Sequence, residues 1–321
     1  MQKAKLDISI IFGGNGKFIL RCLDSIYKTY EGSMEIFITS NLGSPQAIDK
    51  IKRRFPEVHL VINNRKKGFA ENHNNIIEKT NGEYILILND DTIILENAIE
   101  KLINYMEKYP EVAVVGPKLL NPDLSLQHST FYLPSLFGIF LLLSGIRQHI
   151  PFNRFTYRIV QFFYPKGKSR FWSHNQIVEV NNPGGPCVLV RRKAMEGVGL
   201  MDEVTQFSGE DTEWLYRFKK RKWKVIFLPE AEIIHYGGES TYKKQPLLCE
   251  KEDINGLLNF YRKHKNIINY YLLRIMIFSI FFAKYIFNLI TRNKEIANSY
   301  FDIAKIALNP EKAFRGKGIF Y

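Results

Sequence analysis

Cysteine is scarce in this 321-residue chain: Cys22, Cys187 and Cys249 are the only three, and none stands at a paired spacing. That scatter excludes a disulfide framework and a zinc ribbon, and the expected setting is a reducing one, the cytoplasm. The opening MQKAKLDISIIFGG holds a single short apolar run, Ile8 to Phe12, and no small-residue cleavage site. A first strand is expected there, and no secretory leader. No internal repeat or low-complexity tract is present, and 45% hydrophobic content excludes a disordered or fibrous protein. The stretch GGNGKF lacks the spacing of a triphosphate-binding loop, has no Ser or Thr after Lys17, and fails the dinucleotide fingerprint.

What the chain has in excess is positive charge, +13 overall. From Arg262 to the end, eleven Lys and Arg face only Glu295, Asp302 and Glu311. Such a tail seeks phosphates, of nucleic acid or of an anionic membrane surface. No recognised RNA- or DNA-binding module accompanies it, and 270–290, YYLLRIMIFSIFFAKYIFNLI, is the most apolar long segment. The expected partner is therefore lipid, with no nucleic acid. At ~100° per residue, Tyr270, Arg274, Lys284 and Asn288 share a sector of roughly 80°. This predicts an amphipathic helix lying in the membrane interface, its two cations snorkelling to water. The alternatives are a single span and a helix buried against the main domain.

Upstream, short aliphatic runs alternate with helical patterns. ISIIF (8–12), EIFIT (35–39), HLVIN (59–63), YILIL (84–88) and VAVVG (112–116) read as strands. Between them lie helical spacings such as Ile19, Leu23, Ile26 and the face Ala98, Ile99, Leu102, Ile103, Met106, which Pro110 stops. The helix after GFAENHNN is expected to close with Gly82 at its C′ position. Strands without polar alternation, interleaved with helices, imply an α/β fold with a mostly parallel central sheet covered on both faces. The rhythm breaks after Pro117, where FYLPSLFGIFLLLSGI (131–146) leads into a basic, aromatic stretch. An inserted, partly exposed apolar segment is expected over about 129–175.

Asn89-Asp90-Asp91 ends one of these aliphatic strands. Adjacent carboxylates repel and resist burial, so a cation is the expected partner at this strand end. The plainer alternative is that Asp90, Asp91 and Thr92 cap the following helix.

Several motifs together, GFAENHNN, LILNDDTIILENA, LVRRKAMEGVGLMDE, GEDTEW and IIHYGGEST, make the chain resemble family 2 glycosyltransferases from about residue 6 to 265. It looks closest to the rhamnosyltransferase-like branch that builds bacterial surface polysaccharides. The resemblance implies a GT-A-type nucleotide-diphospho-sugar transferase domain over 1–265, followed by the membrane-associating tail 266–321. It also implies an inverting, metal-dependent transfer of a sugar, rhamnose being the candidate, from a nucleoside diphosphate sugar to a lipid-linked saccharide. The enzyme would then sit peripherally on the inner face of the cell membrane.

By that resemblance Asp91 is a ligand of Mg²⁺ or Mn²⁺, with His235 beside it, a hard cation on the diphosphate being the expected chemistry. A lone histidine after an apolar strand is otherwise structural. Asp211, with Glu210, matches the acidic pair whose aspartate acts as general base on the acceptor hydroxyl. Read alone, the two acids cap a helix whose apolar face holds Trp214. Phe12, Gly13, Gly14, Ser40, Asn41, Gly68, Asn72, Asn89, Asp90 and Arg192 are the expected nucleotide-sugar contacts, although Arg191 and Arg192 also read as a solvated pair. Gln127, His128 and Trp214 are expected on the acceptor side.

Two places depart from the family pattern. Gly13-Gly14 replaces a polar or aromatic pair at the end of the first strand, and Ser40-Asn41 replaces Asp-Asn at the end of the second. A serine accepts from a base without the charge assistance of a carboxylate. These changes leave the donor's identity open. They also motivate the second reading, a non-catalytic scaffold of the same fold that binds a glycan lipid or partner enzyme.

Overall fold

The computed structural model describes residues 5–130, 135–145, 174–204, 209–237 and 246–309. Most of the expected insertion at 129–175, the end of IIHYGGEST and the last residues of the tail lie outside the described residues. The chain forms two compact units.

In the first unit the order is β1 (Leu6–Gly14), α1 (Ile19–Thr29), β2 (Met34–Gly43), α2 (Pro45–Arg54), β3 (His59–Ile62), α3 (Phe69–Ile77), β4 (Tyr84–Asn89) and β5 (Thr92–Ile94). α4 (Ala98–Lys108), β6 (Val112–Leu120) and β7 (Leu126–Gln127) follow. After the α5 helix of the second unit (Leu136–Leu143) come β8 (Val178–Glu179), β9 (Cys187–Arg191), α6 (Arg192–Val198), α7 (Glu210–Lys220) and β10 (Lys224–His235).

The strands make one sheet in the order β3-β2-β1-β4-β9-β6-β10-β5, with β7 added on β6 and β8 on β10. β1 pairs in parallel with β2 and β4, and β6 with β10. β9, however, lies antiparallel between β4 and β6, so the sheet is mixed. A central strand is aliphatic whichever way it runs, because both its faces are covered; the missing alternation could not reveal its direction. Its insertion leaves β1, β2, β4, β6 and β10 with their carboxyl ends on one edge, where the start of β9 joins them.

The core under this sheet gathers Ile8, Ile10, Leu86, Leu88 and Leu189 with Ile19, Leu23 and Ile26 of α1 and the predicted face of α4. Burial of each such side chain contributes about 1.5–3 kcal/mol. All three cysteines are buried and unpaired. Gly82 is no helix cap: α3 ends at Ile77, and a Cβ at Gly82 would lie 2.7 Å from Asp7. Its N–H donates to Asp7 Oδ2 at 2.6 Å.

The second unit contains α5, α8 (Pro246–His264), α9 (Ile267–Ile290) and α10 (Lys294–Leu308). α8 groups with α9 and α10, so this unit takes in residues ahead of the expected boundary at 265. α9 is the one helix among the described residues long and apolar enough, by length and composition, to cross a membrane. Its buried side chains are Tyr270, Leu273, Ile277 and Phe281, at helical spacing.

The cations of α9 do not snorkel to water. Arg274 donates from Nε to Ala307 O at 2.7 Å and from Nη2 to Leu308 O at 2.5 Å, satisfying carbonyls that the end of α10 leaves without intrahelical partners. Lys284 Nζ lies 3.1 Å from Glu250 Oε1 of α8 and over the rings of Phe281 and Tyr300. The polar sector thus faces the companion helices, while Ile268, Leu272, Ile275, Ile286 and Ile290 are exposed.

Candidate active site

β4 stops at Asn89, whose N–H donates to Pro186 O at 2.9 Å. The chain then passes through Asp90 and Asp91 into β5, not into a helix. α4 starts only at Ala98, behind Asn97 in the left-handed region (φ 56°). The two aspartates therefore cap nothing.

β5 pairs antiparallel with β10, setting Thr92 opposite His235. Tyr236 N–H donates to Asp91 O at 3.0 Å. This register brings His235 Nε2 to 3.3 Å from Asp91 Oδ1, with the two side chains only 12% and 13% exposed. Burial, and then the neighbouring Asp91 charge, push the Asp90 carboxyl up to about 7. On the far side of the ring, His235 Nδ1 lies 2.7 Å from Gln127 Oε1.

Asp91 and His235 together offer one oxygen and one nitrogen donor of the kinds a divalent cation takes. The charge that burial disfavours at Asp90 is one that a nearby cation would relieve. Among the described residues no group of three or more His, Cys, Asp or Glu is arranged to hold a metal ion, so Asp91 and His235 stand as a pair. An ion here would draw its remaining ligands from bound oxygens or water.

Asp211 opens α7. Its Oδ1 accepts from Thr212 N at 2.6 Å and its Oδ2 from Asn182 Nδ2 at 2.9 Å. Asn182 is itself oriented, because its Oδ1 accepts from Gly184 N at 2.8 Å. A Cβ at Gly185 would lie 3.0 Å from Asp211 Oδ2, so the glycine lets the loop approach the carboxylate. The next residue, Pro186, supplies the carbonyl that Asn89 binds. One short loop therefore touches both the end of β4 and Asp211.

Phe69, Ile87, Val188, Met201 and Leu215 line a pocket beside Asp211, Asn182 and Gly185. Trp214 forms part of that wall, buried, with its Nε1 donating to Gly199 O at 2.8 Å. Its polar edge is thus committed to the fold and not turned to an acceptor. Glu210 is buried as well.

The residues expected to contact a nucleotide sugar are built differently from that expectation. Phe12 is buried, and its ring fills the space where a Cβ on Gly43 would lie, 2.4 Å away. Ser40 is fully buried and its Oγ accepts from Gly43 N at 3.1 Å, so it shapes the end of β2 and does not present a hydroxyl. Gly13 and Gly14 are exposed, Gly14 with φ +58°. Asn41 takes Lys67 N at its Oδ1 and donates from Nδ2 to Lys67 O, both at 2.9 Å. Asn72 donates to Gly68 O at 2.8 Å and accepts from Asn63 Nδ2 at 2.7 Å. Asn41 and Asn72 thus clamp the Lys67-Gly68 loop ahead of α3.

Arg192 is not among these residues. It sits at the opposite edge of the sheet, where β9 ends beside the start of β4. There it binds Asp7 Oδ2 at 2.9 Å, Gly82 O at 2.6 Å, Ile77 O at 3.0 Å and Thr80 Oγ1 at 2.8 Å. Every arm of the guanidinium is used, and a strand's length separates it from Asn89. Arg191 is likewise structural, bonded to the carbonyls of Val112, Met106 and Tyr109. Gln127 lies against His235, and His128 is exposed with its ring 5.0 Å from that of His174.

Sequence reasoning passed over Asn63, Asn182 and Gly185. The signal for the last two was the run NNPGGP (181–186), dense in glycine and proline directly before an aliphatic strand.

A mixed sheet of this order, with its acidic strand end and helix-opening carboxylate on one edge, is the GT-A class of glycosyltransferase fold. GalNAc-T7, crystallised with UDP, GalNAc and Mn²⁺, is similar over 81% of this chain and 48% of its own, with TM-score 0.57 and 14% identity. This chain thus spans about half the length of that protein. The mannosyltransferase PcManGT from Pyrobaculum calidifontis, in complex with GDP-Man and Mn²⁺, is similar over 96% of this chain and 76% of its own, with TM-score 0.52 and 11% identity. At such identities the likeness is one of fold.

The family follows from the sequence itself. The model of Glycosyl transferase family 2 matches residues 8–197, more than half of the chain, and the chain belongs to that family. It is 25% identical over 242 residues to the N-acetylglucosaminyl-diphospho-decaprenol L-rhamnosyltransferase of Mycobacterium tuberculosis, covering 70% of this chain and 74% of that one. It is 24% identical over 190 residues to the dTDP-rhamnosyl transferase RfbF of Shigella flexneri, covering 58% and 55%.

Proposed function

We propose that the chain is an inverting glycosyltransferase that moves a sugar, rhamnose being the candidate, from a nucleoside diphosphate to a lipid-linked saccharide in cell-surface glycan synthesis. The observation that carries this reading is the single loop 182–186, which holds Asp211 through Asn182 and binds the end of β4 through the Asn89–Pro186 hydrogen bond, two residues ahead of the Asp91–His235 pair. The rhamnosyltransferase relatives support the sugar and the lipid-linked acceptor.

Asp91 and His235 would hold Mg²⁺ or Mn²⁺, which when bound supplies positive charge to a leaving diphosphate. Asp211 takes the proton from the acceptor hydroxyl as that oxygen attacks the anomeric carbon. Asn182 keeps Oδ2 of that carboxylate aimed, and the apolar pocket wall of Ile87, Val188 and Trp214 limits water beside it. Asn41, Asn72 and Gly68 hold the loop on the donor side, and the exposed Gly13 and Gly14 put no side chain in the way of a nucleotide. With Ser40 turned inward, base recognition falls to backbone groups.

An acceptor anchored in a bilayer requires an enzyme that works at its surface. The exposed apolar side of α9 and the basic excess of the tail support peripheral attachment to an anionic membrane, the cytoplasmic face being the reading from cysteine usage.

The test is release or transfer from a panel of nucleoside diphosphate sugars, with Mg²⁺ or Mn²⁺ and with EDTA, on membranes bearing lipid-linked acceptors. Metal-dependent turnover of one donor is the expected result. Silence across the panel from folded, membrane-bound protein would overturn the reading in favour of a scaffold.

A further inference from the structure

The geometry points to Gln127 as the positioning residue of His235: it holds the proton on Nδ1 of the neutral ring, so that Nε2, the nitrogen facing Asp91, is the one that binds a divalent cation. The cation half of this inference rests on the function proposed above; the tautomer half does not.

The backbone carbonyls of Leu126 and His235 can only accept hydrogen bonds. Leu126 O takes a hydrogen bond from Asn121 Nδ2 at 3.4 Å, and a carbonyl cannot donate, so the amide nitrogen of Asn121 must face it. Asn121 Oδ1 then points the other way and accepts from Gln127 Nε2 at 3.0 Å. The backbone carbonyl of His235, also acceptor only, takes the same Nε2 at 3.2 Å. Two acceptors therefore fix the Gln127 carboxamide, and its oxygen is left against His235 Nδ1 at 2.7 Å. An oxygen without a hydrogen can be met there only by an N–H. Nδ1 carries the proton, and in the neutral ring Nε2 carries the lone pair.

The fold is arranged to deliver this contact. β7 consists of Leu126–Gln127 and pairs with the end of β6, Gln127 opposite Leu119. β6 in turn runs parallel to β10, Leu120 opposite Ile234, so the β7 turn lays Gln127 beside His235. Gly237 has φ +53°, and a Cβ there would lie 3.0 Å from Gln127 Nε2 and 3.6 Å from His235 Nδ1. The space the carboxamide occupies is open because residue 237 is glycine.

The consequence lies on the other side of the ring. A neutral imidazole with its proton fixed on Nδ1 sets a lone pair 3.3 Å from the Asp91 carboxylate, two acceptors facing each other. That pairing is repulsive until a positive charge, either a second proton on the ring or a bound cation, stands between them. Hydrogen-bonded partners of this kind set the tautomer and orientation of metal-binding histidines elsewhere.

The experiment is nitrogen NMR of the full-length protein with ¹⁵N-labelled histidine at pH about 8.5, well above the ordinary histidine pKa. The His235 signal is assigned by its loss in His235→Gln, and Mn²⁺ affinity is measured in parallel by electron paramagnetic resonance. Wild type is expected to show protonated Nδ1. Gln127→Met, of similar length but without the acceptor, is expected to lose that signature and to bind Mn²⁺ ~10–100-fold more weakly, the range for loss of such partners. Gln127→Glu, which keeps an acceptor, is expected to restore it. An Nε2–H signature in wild type, or a Gln127→Met protein unchanged in both readouts, overturns the inference. A tautomer that responds as expected in a protein that never binds Mn²⁺ overturns the cation half and, with it, the metal reading of Asp91.

Discussion

Asn182 Nδ2 stands 2.9 Å from Asp211 Oδ2, and the Gly184 N–H fixes the carboxamide that makes this bond. The carboxylate is thereby held from one side while Thr212 N–H holds the other oxygen. Asp211→Asn should lower turnover by ~10²–10⁴-fold, the usual worth of a general base, with donor affinity unchanged in calorimetry. Asn182→Leu should cost ~10–150-fold in turnover, since a hydrogen bond to a charged group contributes ~1.5–3 kcal/mol. Near-normal turnover in Asp211→Asn would sink the base assignment.

Arg192 and Asp7 form an ion pair whose carboxylate is 3% exposed, backed by Gly82 N–H and three further acceptors of the guanidinium. Removing one partner of a buried pair costs about 3–5 kcal/mol, because the other charge is left alone. Arg192→Ala should therefore lower the urea midpoint by an amount in that direction while the donor KM stays at its wild-type value. A raised donor KM in a stably folded variant would return Arg192 to the diphosphate. Gly82→Ala, which drives a Cβ into Asp7, should destabilise by ~1–3 kcal/mol.

His73 is fully buried on α3, with Nδ1 2.7 Å from Ser9 Oγ and Nε2 bonded to none of the described residues. Burial lowers its pKa to about 3. Above pH about 6.5 both folded and unfolded chains carry it neutral, and it contributes no pH dependence. Below that value the unfolded chain binds a proton that the folded chain refuses. Stability should therefore fall as pH drops from about 6.5 toward 3, by up to ~1.4 kcal/mol per pH unit. Urea melts across this window should show a shallower decline in His73→Asn than in wild type; identical slopes would contradict the assignment.

On α9, Ile275 is 62% exposed and Ile286 40% exposed, whereas Arg274 caps the end of α10. The double change Ile275→Glu, Ile286→Glu should leave the melting temperature nearly unchanged, as surface substitutions do. Its flotation with vesicles containing anionic phospholipid should fall more than tenfold, since each lost insertion removes ~1.5–3 kcal/mol. Arg274→Ala should do the reverse, lowering stability and sparing vesicle binding. If Arg274→Ala alone abolished binding in a folded protein, the cation and not the apolar side would be the membrane contact.

Much of the first unit is legible in the chain because its signals are local. The apolar face of α4 is written in five residues at helical spacing, and all five are buried. The strand that ends in Asn89-Asp90-Asp91 stands out because carboxylates interrupt an aliphatic run. Less legible were contacts that depend on partners distant in sequence. Ser40 resembled a ligand contact, yet its hydroxyl is taken up by Gly43 three residues later, a turn that spacing alone does not announce. Arg192 carried the right chemistry for a diphosphate, but β9 runs antiparallel and carries it to the wrong edge of the sheet.

By itself the sequence determined which residues are aliphatic strands, which share a helix face, and where two adjacent acids interrupt an aliphatic run. Those properties follow from side-chain chemistry and the fixed periods of helix and strand. Only the tertiary structure decided that Gln127 belongs to His235 and Asn182 to Asp211, because strand pairing and loop closure choose partners that no local period encodes. The same holds for α9. Periodicity identifies Arg274 and Lys284 as sharing a side with Tyr270, but whether that side meets water or protein depends on what packs there. Here Glu250 and the end of α10 satisfy the charges from within, leaving the apolar side outermost.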